Sequence, residues 1–164
     1  MSPIKVMTCA AVLLWSFGAQ ADKLPIPADA PPAFKAECAG CHLAFPPGLM
    51  VAADWKRVMS GLDKHYGDNA SLDDKTRQSI EDFLVKYASN GKKVDAAGTG
   101  KPGEPPRLTQ TAWFKRKHHE VPKADWTHAK VKSASNCAGC HTRAAESSFR
   151  EREIIMPDGR KWED

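Results

Sequence analysis

The chain has 164 residues, 41% of them hydrophobic and 27% charged, which leaves room for one domain or two small ones. Its 24 basic and 20 acidic residues give a formal net charge of +4, and the balance shifts along the chain: residues 22–90 carry 8 basic and 10 acidic groups, residues 91–164 carry 15 and 10. Beyond the opening segment no apolar run approaches the roughly 20 residues of a permanent bilayer-spanning helix, which excludes a mature protein that threads the membrane.

The opening segment is a positive start at Lys5, a short apolar run from Val6 to Phe17, and the small-residue end Ala19-Gln20-Ala21. These are the three parts of a secretory signal peptide, so residues 1–21 are expected to be removed after export. Cys9 falls inside this leader, ahead of most of its apolar core and without a lipobox, which discounts a lipid anchor. Its removal leaves four cysteines, all in two short motifs, and none for a stapling disulfide.

Residues 22–32 hold four prolines and read as an extended lead-in. Ala33 to Glu37 forms one helical turn running into Cys38-Ala39-Gly40-Cys41-His42, and the same five residues recur as Cys137-Ala138-Gly139-Cys140-His141. Cys-x-x-Cys-His is the attachment pattern of a c-type haem: two thiols one turn apart form thioethers to the porphyrin, and the next histidine lies under the iron. A zinc ribbon would bring its Cys pairs within roughly 15–20 residues of each other, far closer than Cys41 and Cys137. A thioredoxin-like dithiol would need a βαβ context that neither half shows.

After the first motif, Leu43 to Met50 reads as a loop broken by Phe45-Pro46-Pro47-Gly48. From Ala52 the spacing predicts a helix on which Trp55, Val58, Met59, Leu62 and His65 share a face, ended by Gly67-Asp68-Asn69. Ser71 with Asp74 resembles a capping box, opening a helix with Ile80, Phe83, Leu84 and Tyr87 on one side and a stop at Ser89-Asn90-Gly91. Residues 91–108, rich in glycine and proline, are the expected linker. Beyond it Thr109 to Val121 reads as a helix closed by Pro122, with Trp113, Phe114, His118 and Val121 on one stripe and Lys115, Arg116 and His119 opposite. A basic, irregular stretch follows, and Ser135 is placed to cap a helix carrying the second motif on through Arg150. Ile154-Ile155-Met156-Pro157 follows as a short apolar strap. The predicted architecture is all-α: two small haem-binding domains, residues 22–90 and 109–164, joined by the Gly/Pro-rich linker. The first resembles a class I cytochrome c.

With His42 and His141 as proximal ligands, each iron needs a sixth. Near the first, His65 lies at the end of an apolar stripe, with Met59 and Met50 as alternatives; methionine would give the higher potential. For the second, no histidine follows His141, so the ligand comes from upstream or is Met156. His118 shares the apolar stripe, whereas His119 is about 100° round the helix among Lys115 and Arg116 and His128 lies outside any clear helix. Trp55, Trp113 and Trp126 read as haem walls.

Taken together, Cys38 to His42 followed by Leu43-Ala44-Phe45-Pro46-Pro47, the run Leu62 to Ala70, Trp113-Phe114 with Lys117-His118, Asn136 to His141 and the Ile155-Met156-Pro157 strap resemble the bacterial dihaem cytochrome c family. The resemblance implies two covalent low-spin haems with histidine on both faces, and His65 and His118 fall at that family's distal positions. It implies a periplasmic role passing electrons from a membrane b-type cytochrome to a soluble oxygen-binding monohaem cytochrome c. The run Glu146-Ser147-Ser148-Phe149 departs from the pattern, with serine where glycine is expected. An iron closed by two imidazoles has no site for substrate, so the reading is a low-potential, monomeric electron carrier, not an enzyme and not a nucleic-acid binder. The rivals, a dihaem peroxidase and a gas-binding cytochrome, each require an open haem face.

Overall fold

The computed structural model describes residues 24–97 and 104–163; the expected signal peptide lies outside them, as do residues 98–103 of the linker. The described residues are all-α. They hold five short helices joined by 3-10 turns, and their only β pairing is isolated bridges.

Helix α1 (Pro32–Cys38) starts on proline, whose missing N–H costs nothing in a first turn. Its Phe34 is buried against Phe83, ring centres 5.0 Å apart. Helix α2 (Ala52–Met59) buries Trp55, Val58 and Met59 against α3 (Asp74–Lys86), which contributes Ile80, Phe83 and Leu84. The Trp55 indole donates to the Pro47 carbonyl at 2.7 Å, so this tryptophan fixes the proline loop within the core. Each such side chain contributes about 1.5–3 kcal/mol on burial. The first half therefore has a helical core of its own.

Two predicted helices of this half have different limits. α2 stops at Met59, because Ser60 caps it and Gly61 follows; residues 62–64 then form a 3-10 turn and His65 sits beyond it. The capping box at Ser71 is not formed. Asp73 is the N-cap of α3, its carboxylate accepting from the Thr76 N–H at 3.0 Å, while the Ser71 N–H donates to Asn69. The shorter aspartate reaches the N3 amide from two residues later than the spacing suggested.

The described flanks of the Gly/Pro-rich stretch pack on the first half. Val94, Ala97 and Leu108 are buried, the Ala97 N–H donates to the buried Asp54 carboxylate at 2.6 Å, and the Tyr66 hydroxyl donates to the Pro106 carbonyl. Leu108 and Phe114 then belong to the same apolar cluster as Phe34 and Ile80.

Helix α4 is six residues (Ala112–Lys117), shorter than the predicted 109–121. Its start is fixed by two caps. Thr111 Oγ1 accepts from the Phe114 N–H, and Asp95 accepts from the Ala112 and Trp113 N–H groups, both at 2.9 Å. These bonds hold the Asp95 carboxyl below the usual carboxylate range. His118 is the C-cap, with Pro122 opening the single turn of α5 (Lys123–Trp126). The predicted helix from Ser135 to Arg150 is replaced by 3-10 turns at Cys137–Gly139 and Ala144–Glu146, broken by Ser147 in the left-handed region at φ 57°. Between residues 118 and 163 the buried apolar side chains are Val131, Ala144, Met156 and Pro157. The strap is held by Ile155 N–H to the Cys140 carbonyl and by Arg160 to the buried Asp125.

Candidate functional site

Cys38 is the last residue of α1, and the chain turns immediately so that Cys41 is exposed and His42 half-buried. The His42 ring stacks on Phe45 at 4.7 Å, and its Nδ1 lies 2.7 Å from the Leu43 carbonyl. Facing it is His65, ring centre 6.1 Å away and planes 23° apart. The 3-10 turn and the left-handed Tyr66, φ 53°, turn His65 inward to this place.

The second site repeats the separation and changes the angle. His118 and His141 are also 6.1 Å apart, with planes at 83°. His118 stacks on Phe114 at 4.0 Å and lies 5.7 Å from Trp126, and its Nδ1 is 2.9 Å from the Phe114 carbonyl one turn earlier. His141 has Phe149 beside it at 5.3 Å.

The separation has a physical meaning. Two metal–imidazole bonds of about 2 Å, plus about 1.1 Å from each ring centre to its ligating nitrogen, would put two imidazoles on one iron about 6.2 Å apart between centres. Both pairs match that spacing. An Nδ1–H donated to a carbonyl leaves the lone pair on Nε2, the arrangement a metal-bound histidine needs. Burial lowers the basicity of His65 and His118. It brings His141 down to about 4, aided by the neighbouring His118, so burial favours the neutral form of all three rings. Three buried polar atoms lack a hydrogen-bond partner among the described residues: His65 Nδ1, His141 Nδ1 and Trp113 Nε1. All lie on the elements that present these histidines.

The four motif cysteines form no disulfide with one another, and burial pushes the Cys38 and Cys137 thiols up to about 11 and raises Cys140. Such thiols are protonated at neutral pH, unlike a redox dithiol. The described residues contain no convergence of three or more His, Cys, Asp or Glu side chains suited to a bare metal ion; they offer imidazoles in twos.

The other candidate ligands lie elsewhere. Met50 and Met59 are buried in the apolar cluster and Met156 in the strap. His119 is exposed, its ring turned to the Arg116 carbonyl and Glu120. His128 accepts the Lys130 N–H through Nδ1. Of the predicted wall tryptophans, Trp126 lies against a facing histidine, while Trp55 is part of the α2–α3 core. Sequence reasoning missed Phe45 and Phe149 as ring partners of the motif histidines. It also missed the Phe114 carbonyl, although Phe114 stands four residues before His118 on the stripe.

A helical chain with two Cys-x-x-Cys-His loops, each faced by a second imidazole, defines a c-type cytochrome. The profile of the dihaem cytochrome c family matches residues 34–149. A crystal structure of a dihaem cytochrome type c from Shewanella baltica OS155 is similar at 33% identity and a TM-score of 0.68, covering 80% of this chain and 97% of that one. A dihaem cytochrome c from Rhodobacter sphaeroides is similar at 36% identity and a TM-score of 0.61, covering 74% of this chain and 98% of that one. A second structure, of DHC purified from Rhodobacter sphaeroides, has 38% identity and a TM-score of 0.62, with 76% and 100% covered. No curated protein matches the chain. The chain belongs to the dihaem cytochrome c family. It is an electron-transfer haem protein with two covalently bound c-type haems. Among the described residues no helix is long and apolar enough to cross a membrane.

Proposed function

We propose that this chain is a periplasmic electron carrier, released from its leader at residues 1–21, in which both irons are closed by two histidines. Haem I is attached through Cys38 and Cys41 and ligated by His42 and His65; haem II is attached through Cys137 and Cys140 and ligated by His141 and His118. Residues 22–90 and 109–164 form the two haem units. The observation that carries this reading is the 6.1 Å separation of two imidazoles, found twice. The iron supplies a one-electron couple. The protein's part is to hold both ligands in place and to keep water away with Phe45, Tyr66, Phe149 and Trp126, so that little rearranges when the charge changes.

Two neutral imidazoles favour the oxidised iron more than histidine with methionine does, so both haems work at low potential. With both axial positions filled, peroxidase chemistry has no place to begin. Lys115, Arg116 and Lys117 close α4 beside His118 and are exposed. Such a basic patch next to a haem ligand suits docking of an acidic partner protein. We assign the donor as a membrane b-type cytochrome and the acceptor as a soluble oxygen-binding monohaem cytochrome c.

Electron paramagnetic resonance of the oxidised holoprotein tests the ligand sets. Both haems are expected to be low-spin, with two different line shapes, because ligand planes near parallel and near perpendicular split the iron d orbitals differently. A high-spin signal of one haem equivalent in the untouched protein would sink the reading.

A further inference from the structure

The two ligand pairs are not tethered alike. In each pair one imidazole has its Nδ1 against a carbonyl and the other has a buried Nδ1 without a partner. At haem II the bonded ring is His118, pinned to Phe114 by the carbonyl and by stacking; the unbonded ring is His141, which its neighbour Cys140 holds to the porphyrin. At haem I the order is reversed. The bonded ring is His42, already held by Cys41, and the unbonded ring is His65. Among the described residues His65 is thus the one proposed ligand whose ring has no hydrogen-bond partner and whose neighbour is not a motif cysteine.

What packs against the His65 ring is the next residue. Tyr66 is in the left-handed region, where a side chain is strained. Its ring packs edge-on to His65 at 4.7 Å, its hydroxyl donates to the Pro106 carbonyl, and the Arg107 guanidinium covers the ring at 4.5 Å. Gly67 follows at φ 113°, and the chain turns back so that the Asp68 N–H donates to the His65 carbonyl at 3.0 Å; this fixes the His65 backbone and leaves its ring to Tyr66.

We propose that haem I is an exchangeable site: in the reduced protein His65 leaves the iron and a neutral diatomic ligand takes its place, with Tyr66 as the latch that sets how often this happens. One iron–nitrogen bond breaks and one bond to the incoming ligand forms; no electron moves. The proposal rests on the two-histidine ligation above. Haem II, with His118 pinned, does not exchange.

Carbon monoxide mixed with the dithionite-reduced holoprotein is the test. The expected result is one CO per two haems, bound in a slow phase whose rate levels off with CO concentration because departure of His65 limits it. His118→Ala keeps that slow phase and adds a fast one at the opened haem II. Tyr66→Phe retains the ring against His65 and loses the hydroxyl bond, and speeds the slow phase about three- to tenfold. No CO bound to the wild type, a slow phase abolished by His118→Ala, or an unaltered rate in Tyr66→Phe would overturn the proposal. A high-spin haem before CO is added would instead break the ligation reading beneath it.

Discussion

The first Cys-Ala-Gly-Cys-His loop grows from the last turn of α1 and stands beside the apolar core of α2 and α3. The second, identical in sequence, is a 3-10 turn laid against Val131, in a half whose buried apolar side chains beyond α4 are few. One haem is added to a structure that already has a reason to fold; the other stands in for the core its surroundings lack. The same five residues therefore serve as an attachment in one place and as a foundation in the other.

The strongest way to break this comparison is to remove each haem in turn. Cys137→Ser with Cys140→Ser is expected to lower amide-exchange protection across residues 118–163 by at least about a thousandfold, about 4 kcal/mol, while α3 stays protected. Cys38→Ser with Cys41→Ser is expected to leave α3 measurably protected, because Ile80, Phe83 and Leu84 still pack on Trp55 and Val58. Equal loss over both halves in the two variants would erase the distinction.

A gentler probe uses the glycines of the two loops. A Cβ at Gly139 would meet the Val131 Cα and Cγ2 at 3.3 Å, whereas a Cβ at Gly40 meets nothing within 4 Å. Backbone on one side cannot yield as a flexible side chain would, so Gly139→Ala is expected to cost about 1–3 kcal/mol. Gly40→Ala stays within about 0.5 kcal/mol of wild type. Chemical unfolding of the two holoprotein variants, followed at the haem band and by circular dichroism, gives both numbers.

The first half was the more legible because its order is periodic. Apolar spacing located α2 and α3 and their core face, and the motif itself located His42. His65 lies opposite His42 by a route the spacing did not contain: α2 ends at Met59, and a 3-10 turn with a left-handed tyrosine completes the path. On α4, the four-residue step from Phe114 to His118 marked the right face although the helix is half the predicted length. The second motif was misread as helical because its conformation is set by contacts with the preceding loop at Lys130 and Val131. The Asn136 amide donates to the Lys130 and Val131 carbonyls, and Gly139 packs on Val131. Helix propensity has no hold on a turn fixed from outside. The turn after His141, by contrast, was marked by residue type alone, serine within Glu146-Ser147-Ser148-Phe149 where glycine was expected, and the structure puts the left-handed residue at Ser147.

That serine gives the smallest and most local test. Ser147 has φ 57° and ψ 26°, and its backbone accepts the Leu24 N–H at 3.3 Å, which ties the lead-in to the second half. A Cβ in this region costs about 1–2 kcal/mol, and glycine removes the cost while adding freedom to the unfolded chain of about 0.4–1 kcal/mol. The two effects oppose, and the folded-state relief is the larger, so Ser147→Gly is expected to stabilise the holoprotein by about 0.5 kcal/mol with the Leu24 contact intact. Ser148→Ala is the contrasting variant: its hydroxyl donates to the Glu153 carboxylate at 2.6 Å, and its loss costs about 1 kcal/mol. If Ser147→Gly were to destabilise instead, the turn after His141 would depend on the serine side chain and not on the left-handed backbone. The second half would then owe its shape to one more specific contact, in addition to its haem.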